Sequence, residues 1–194
     1  METVRLYTRQ DERSLKEIEK KGYFTNKISY VKENFGDISN YILSCYNYFV
    51  QEAQKKVPKP DFVEMPVWCA ISNKNCMPPI ENSVLYVLDV PKEEVIYFDG
   101  SKWDYVLNHH YIPLNKEDYD NYNKRLKKKG IDNGFEFFEG KYKNFYPEEK
   151  KIVQESWIRI FDTDDWNIYK IQANIWLIKK EWIHSVVRQG EMIP

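Results

Sequence analysis

No run of about eighteen apolar residues occurs in this 194-residue sequence, so no helix long enough to span a bilayer is expected. Glycine is scarce as well. The seven glycines are scattered and form neither a Gly-x-Gly-x-x-Gly turn nor a Walker loop, which removes the common phosphate-cradling loops. Cysteine is limited to Cys45, Cys69 and Cys76. An odd count, without Cys-x-x-Cys or His-Glu-x-x-His, argues against a disulfide framework and against a zinc site; no metal is expected. Reduced thiols in a cytoplasm fit best. Residues 1–10 hold no apolar stretch resembling a secretory signal. Neither sign of charge dominates: 29 basic against 30 acidic residues give a net charge of −1. That balance argues against a dedicated nucleic-acid binder and leaves a local patch open. The one basic run, Lys124, Arg125 and Lys127 to Lys129, reads as a solvated helix end, where cations oppose the helix dipole. Nothing in the sequence fixes an oligomeric state.

Aromatic residues, by contrast, are plentiful at 16%. They supply core area for one domain over residues 1–194. Alternation over 3–9 predicts a strand. Asp11 can cap a helix over 12–21, with Leu15 and Ile18 inward and Gly22 as its stop. Residues 39–57 carry the clearest helical periodicity, through Ile42, Leu43, Tyr46, Phe49, Val50, Ala53 and Val57. Short apolar strands are expected at 67–71 and 95–98, and the almost continuously apolar segment 83–90 reads as a sheet interior. Helices are expected at 102–107, at 116–129 behind Asn115, and at 148–162. A strand is expected within 167–179 and a short helix at 182–187. The order lacks regular βαβ alternation, which selects an α+β fold. Its centre is a mixed, largely antiparallel sheet, or two small sheets, flanked by helices.

Chemistry-bearing motifs are few. His109 and His110 are adjacent, and in an extended segment they point to opposite faces, a poor geometry for one metal. No Gly-x-Ser-x-Gly elbow occurs. More informative are polar and aromatic residues in or beside apolar segments. Thr8, Arg9 and Gln10 end the first strand, Trp68 follows Pro66 and Val67, and Trp103 and Asn108 bracket a helix. Trp157 and Arg159 share a later helix, and Gln172 lies in the last strong strand region. Buried polar groups require partners. Arg and amide groups fix anions or base edges and Trp stacks on rings, so the set suits a nucleotide-like ligand. Packing of the Trp residues and internal bonding of Arg159 and Gln172 is the alternative.

Several phrases resemble the bacterial and phage family of unknown function DUF3841. They are Leu6-Tyr7-Thr8-Arg9-Gln10, Pro66-Val67-Trp68, Leu88-Asp89-Val90-Pro91 and Trp103-Asp104-Tyr105-Val106-Leu107-Asn108, followed by Ser156-Trp157-Ile158-Arg159-Ile160-Phe161-Asp162 and Gln172. The resemblance covers about residues 3–187 and implies no established activity. The organisation is more loosely similar to ADP-ribosyltransferase-type domains. That similarity implies NAD as a cofactor, with Arg9 on the first strand and Glu155 or Glu191 as the late acid; the family's middle motif has only a faint echo in Trp68-Cys69-Ala70-Ile71-Ser72. Three readings therefore stand: an ADP-ribosyltransferase-like enzyme, a non-catalytic nucleotide or modified-base binding module, and a structural or interaction protein.

Overall fold

The computed structural model describes residues 2–132, 134–138 and 140–194. The chain forms two compact units, one made of Met1–Phe98 with Asp165–Pro194, the other of Asp99–Asp164.

The first unit is built on a six-stranded sheet. Its strands are β1 (Thr3–Asp11), β3 (Val67–Ala70), β4 (Ser83–Pro91), β5 (Ile96–Asp99), β6 (Ile171–Ile175) and β8 (Ile183–Val187), in the order β5-β6-β3-β1-β4-β8. The pairs of β1 with β3 and β4, of β3 with β6 and of β4 with β8 are antiparallel. β2 (Tyr23–Phe24) and β7 (Ile178–Lys179) form a separate antiparallel pair. The α+β reading, with an antiparallel sheet and a second small one, therefore holds.

Nearly continuous burial along β4, and burial of Leu6, Tyr7 and Thr8 in β1, fit the interior places of these strands in the sheet. Leu6, Val84, Tyr86, Leu88 and Val90 are buried in a cluster with Cys69, Ala173 and Ile175, closed by Ile18, Phe24 and Trp182. Ile18 comes from α1 (Arg13–Lys21), which ends where Gly22 turns into the left-handed region, φ 81°. A residue with a Cβ would be strained there, so the glycine stop was legible in the sequence. The hydroxyl of Tyr86, buried in this core, lies 2.8 Å from that of Ser14. On the opposite side of β3, the rings of Tyr46 and Phe49 from α3 (Ser39–Ala53) lie 5.3 and 5.0 Å from that of Trp68.

Several expectations need correction. Residues 182–187 are not a helix: β8 occupies 183–187 and hydrogen-bonds to the edge of β4. The β-branched Ile183, Val186 and Val187 favour a pleated ribbon once an open strand edge is offered. The strand expected over 167–179 begins only at Ile171, because Asn167 folds 167–170 into a turn, its side chain accepting from the Tyr169 amide. It then breaks in two, since β7 leaves to pair with β2. Helix α2 (Ile28–Phe35) was not read from the sequence. It buries only Val31, and its N-cap residue Lys27 makes no side-chain cap, the Ile28 amide donating instead to the distant Glu64 carboxylate at 2.7 Å, so both usual local signals are missing.

The second unit carries α4 (Gly100–Leu107), α5 (Lys116–Lys128) and α6 (Pro147–Ser156). Asp99 caps α4, accepting from the Ser101 and Lys102 amides at 2.8 and 3.1 Å. Asn115 caps α5 as expected, accepting from the Asp118 amide at 2.9 Å. The helix expected over 148–162 stops at Ser156 and tightens into a 3₁₀ turn over Trp157–Phe161. No described helix is long and apolar enough to cross a membrane.

Candidate functional site

Backbone pairing between β1 and β3 is confined to Tyr7 and Ala70. Beyond that pair a side chain takes over the ladder's role. The buried Thr8 Oγ1 donates to the Trp68 carbonyl at 2.8 Å and accepts from Gln10 Nε2 at 2.7 Å. A cavity of about 320 Å³ lies in this region of the first unit. Thr8, Arg9, Gln10, Trp68 and Gln172 line it. These five residues, up to 164 positions apart in the chain (8 to 172), were all singled out by sequence reasoning.

Register explains how the set is assembled. Trp68 pairs with Asn174 and Ala70 with Gln172, so Trp68 and Gln172 project from the same face of neighbouring strands. Trp68 is held by ring contacts to Tyr46, Phe49 and Phe98, the last edge-on at 5.2 Å. It is rigid wall as much as contact surface. Gln172 is half-buried, and among the described residues its side-chain amide has no hydrogen-bond partner. An amide in that state offers a donor and an acceptor to a ligand.

Several lining residues escaped sequence reasoning, among them Asn26, Lys27, Tyr30 and Asn75. Asn75 gives its Nδ2 to the Ile168 carbonyl, while its buried Oδ1 meets no donor among the described residues. Asn26 is used structurally, donating to the Pro66 carbonyl at 2.9 Å. Lys27 and Tyr30 are joined at 3.2 Å, and both reach Glu17, at 3.0 and 2.9 Å. An Asn in a turn and a Lys before a short helix carry no signal that separates them from surface polarity, so nothing in the sequence marked them.

Charge is unevenly compensated. Burial resists ionisation of Glu17, but bonds from Lys21, Lys27 and Tyr30 outweigh it and hold its carboxyl at about 2. Glu17 in turn raises Lys27 above the ordinary lysine range, so that cation is neutralised within the fold. Arg9 is half-buried and donates only to the Pro78 carbonyl, at 3.2 Å, with no carboxylate partner among the described residues. Burial pushes the Tyr7 and Tyr46 hydroxyls up and the Cys69 thiol up to about 12. Each shifted group in the lining thus moves away from neutrality, whereas acid–base catalysis needs a group poised near it. No Asp or Glu lines the cavity among the described residues.

The remaining candidates are not in that lining. Trp103, Asn108, Trp157 and Arg159 belong to the second unit, where they bind its own segments together. Trp157 Nε1 donates to the His110 carbonyl at 2.8 Å. Arg159 donates to the Ile112 carbonyl and pairs with Asp118 at 3.2 Å. Asn108 bonds the Asp104 carbonyl at the end of α4, and Trp103 is buried. Glu155 sits on α6, paired with Lys151 at 3.7 Å and exposed. Glu191 accepts from the Arg188 amide at 2.7 Å and closes a turn.

No curated protein and no solved structure matches the chain. A family described as "Domain of unknown function (DUF3841)" matches residues 5–184, running through both compact units. Covering nearly the whole sequence, including every phrase that first suggested it, that match makes this chain a member of the DUF3841 family.

Proposed function

We propose that this protein binds a ligand of the nucleobase class in the cavity beside β1 and β3, without consuming it. One observation carries the reading: Thr8, Arg9, Gln10, Trp68 and Gln172 line a single cavity that has no carboxylate in its described lining. An indole wall suits a planar ring, and the Gln172 amide offers the paired donor and acceptor that a base edge matches. An ADP-ribosyltransferase-like reaction on NAD needs an acid beside the scissile bond. Neither Glu155 nor Glu191 is in the lining, and binding alone is therefore the better-supported reading.

The test is calorimetry with adenosine, guanosine, cytidine, uridine and NAD. At least one nucleoside binds the wild type, and NAD releases no nicotinamide. Gln172→Ala weakens the bound nucleoside by about tenfold, the worth of one or two hydrogen bonds. Because this side chain hydrogen-bonds none of the described residues, the melting temperature stays within about 2 °C of wild type. Absence of binding by every nucleoside sinks the proposal, and steady nicotinamide release restores the enzyme reading.

A further inference from the structure

Helix α5 ends on the basic run of Lys124, Arg125 and Lys127 to Lys129, which the sequence alone presents as a solvated helix end. The fold sets most of that run along a recess within the second unit. A cavity of about 790 Å³ is lined by Asn121, Lys124, Arg125, Lys128 and Lys129 of α5 and by Ile152 of α6. The α5 positions recur at intervals of three and four, so one face of the helix carries all four cations. Lys127 is exposed but lies outside the lining.

Charge in this recess is not balanced. The buried Glu149 serves two cations at once, Arg125 at 2.7 Å and Lys129 at 3.2 Å. Asp118, the carboxylate of the described lining, is matched by Arg159 at 3.2 Å. Glu148 adds a longer-range attraction to Arg125. Lys124 and Lys128 are exposed and have no carboxylate within ion-pair distance among the described residues. Five cations thus meet three carboxylates, and the two unmatched lysines stand about 6 Å apart along the helix axis. The whole chain carries a net charge of −1, so this excess is local.

Positive charge strung along a helix face suits a chain of phosphates better than a single ion, which needs donors converging on one point. A bilayer surface is the other extended polyanion, and it calls for a helix with an apolar face to insert. The buried residues of α5, Tyr122 and Leu126, turn into the unit and leave Tyr119 as the exposed large apolar side chain of the helix. Each cation that neutralises a phosphate releases a condensed counterion, so two contacts already give salt-dependent binding.

We infer that this recess binds the phosphodiester backbone of a nucleic-acid strand without reading its bases, and that Lys124 and Lys128 carry the attraction. None of these residues lines the base cavity, so either reading can fail alone.

Fluorescence anisotropy of a labelled single-stranded oligonucleotide against the full chain tests this. The strand binds at about 50 mM salt and is released as salt rises. Lys124→Gln with Lys128→Gln weakens binding at least about tenfold and lowers the log–log salt slope by about 1.4, the release expected of two single-strand phosphate contacts. The melting temperature of this variant stays within about 2 °C of wild type, since neither side chain bonds a described residue. Lys116→Gln with Lys127→Gln makes the same change of net charge outside the lining and costs less than about threefold. A strand of abasic sites binds within about threefold of the oligonucleotide, and vesicles containing phosphatidylserine bind no better than neutral ones. Equal losses in the two double variants would show that net charge alone attracts the strand, and failure of the abasic strand to bind would show that bases are read. Either result overturns the inference, as does preference for the anionic vesicles or absence of strand binding.

Discussion

Phe49→Ala is expected to destabilise the protein by about 3–5 kcal/mol, the usual cost of removing a fully buried aromatic ring. Phe49 is fully buried and contacts Trp68 at 5.0 Å and Phe98 edge-on at 5.3 Å. Removing the ring opens a void directly behind the indole that lines the cavity. Two losses follow from one cause: a lower urea midpoint, and ligand affinity reduced by at least tenfold because Trp68 is no longer held in one rotamer. Phe49→Leu retains most of the volume and should recover more than half of each. A variant that loses stability but keeps full affinity would show that Trp68 is positioned by something other than α3.

The second large effect belongs to the other unit. Glu149 is 1% exposed and receives Arg125 through two bonds, at 2.7 and 2.9 Å, with Lys129 at 3.2 Å. Burial alone would raise its pKa, but the bonds from Arg125 and Lys129 outweigh burial and pull it below the ordinary glutamate value. Glu149→Ala strands two cations around an empty buried site. Because both cations retain access to water, the expected cost is about 2–3 kcal/mol, under the ~3–5 typical of a fully buried pair. The sign of the pH effect follows from the lowered folded pKa. The contribution is complete above the unfolded-state value, near 4.3, and is lost as pH falls through the folded one. Urea midpoints of wild type and Glu149→Ala should therefore differ at pH 7 and converge in acid; a constant gap across that range would contradict the ion-pair account.

These two residues illustrate how far the sequence could be read. Phe49 was placed inward by helical spacing alone, since periodicity reports burial directly. Glu149 looked like one of many carboxylates in a charged segment, and its burial depends on where α5 presents Arg125 and Lys129, which local sequence does not encode. The same division runs through the site. Thr8, Arg9, Gln10, Trp68 and Gln172 were conspicuous because polar or aromatic groups in strand-like segments are costly unless used. Trp157 and Arg159 were conspicuous for the same reason, yet their polar atoms serve the 108–118 segment. Unusual polarity marks a group that has work to do, and only the tertiary partners tell whether that work is internal. β8 failed from the opposite direction: a short stretch with four apolar residues, Trp182, Ile183, Val186 and Val187, is compatible with helix or strand, and the open edge of β4 decided it.

The most direct measurement of the central claim is a structure determined with the preferred nucleoside bound. The account predicts the base ring against Trp68, with hydrogen bonds from its edge to the Gln172 amide. A base bound away from this cavity, or held in it without contact to either residue, would contradict it.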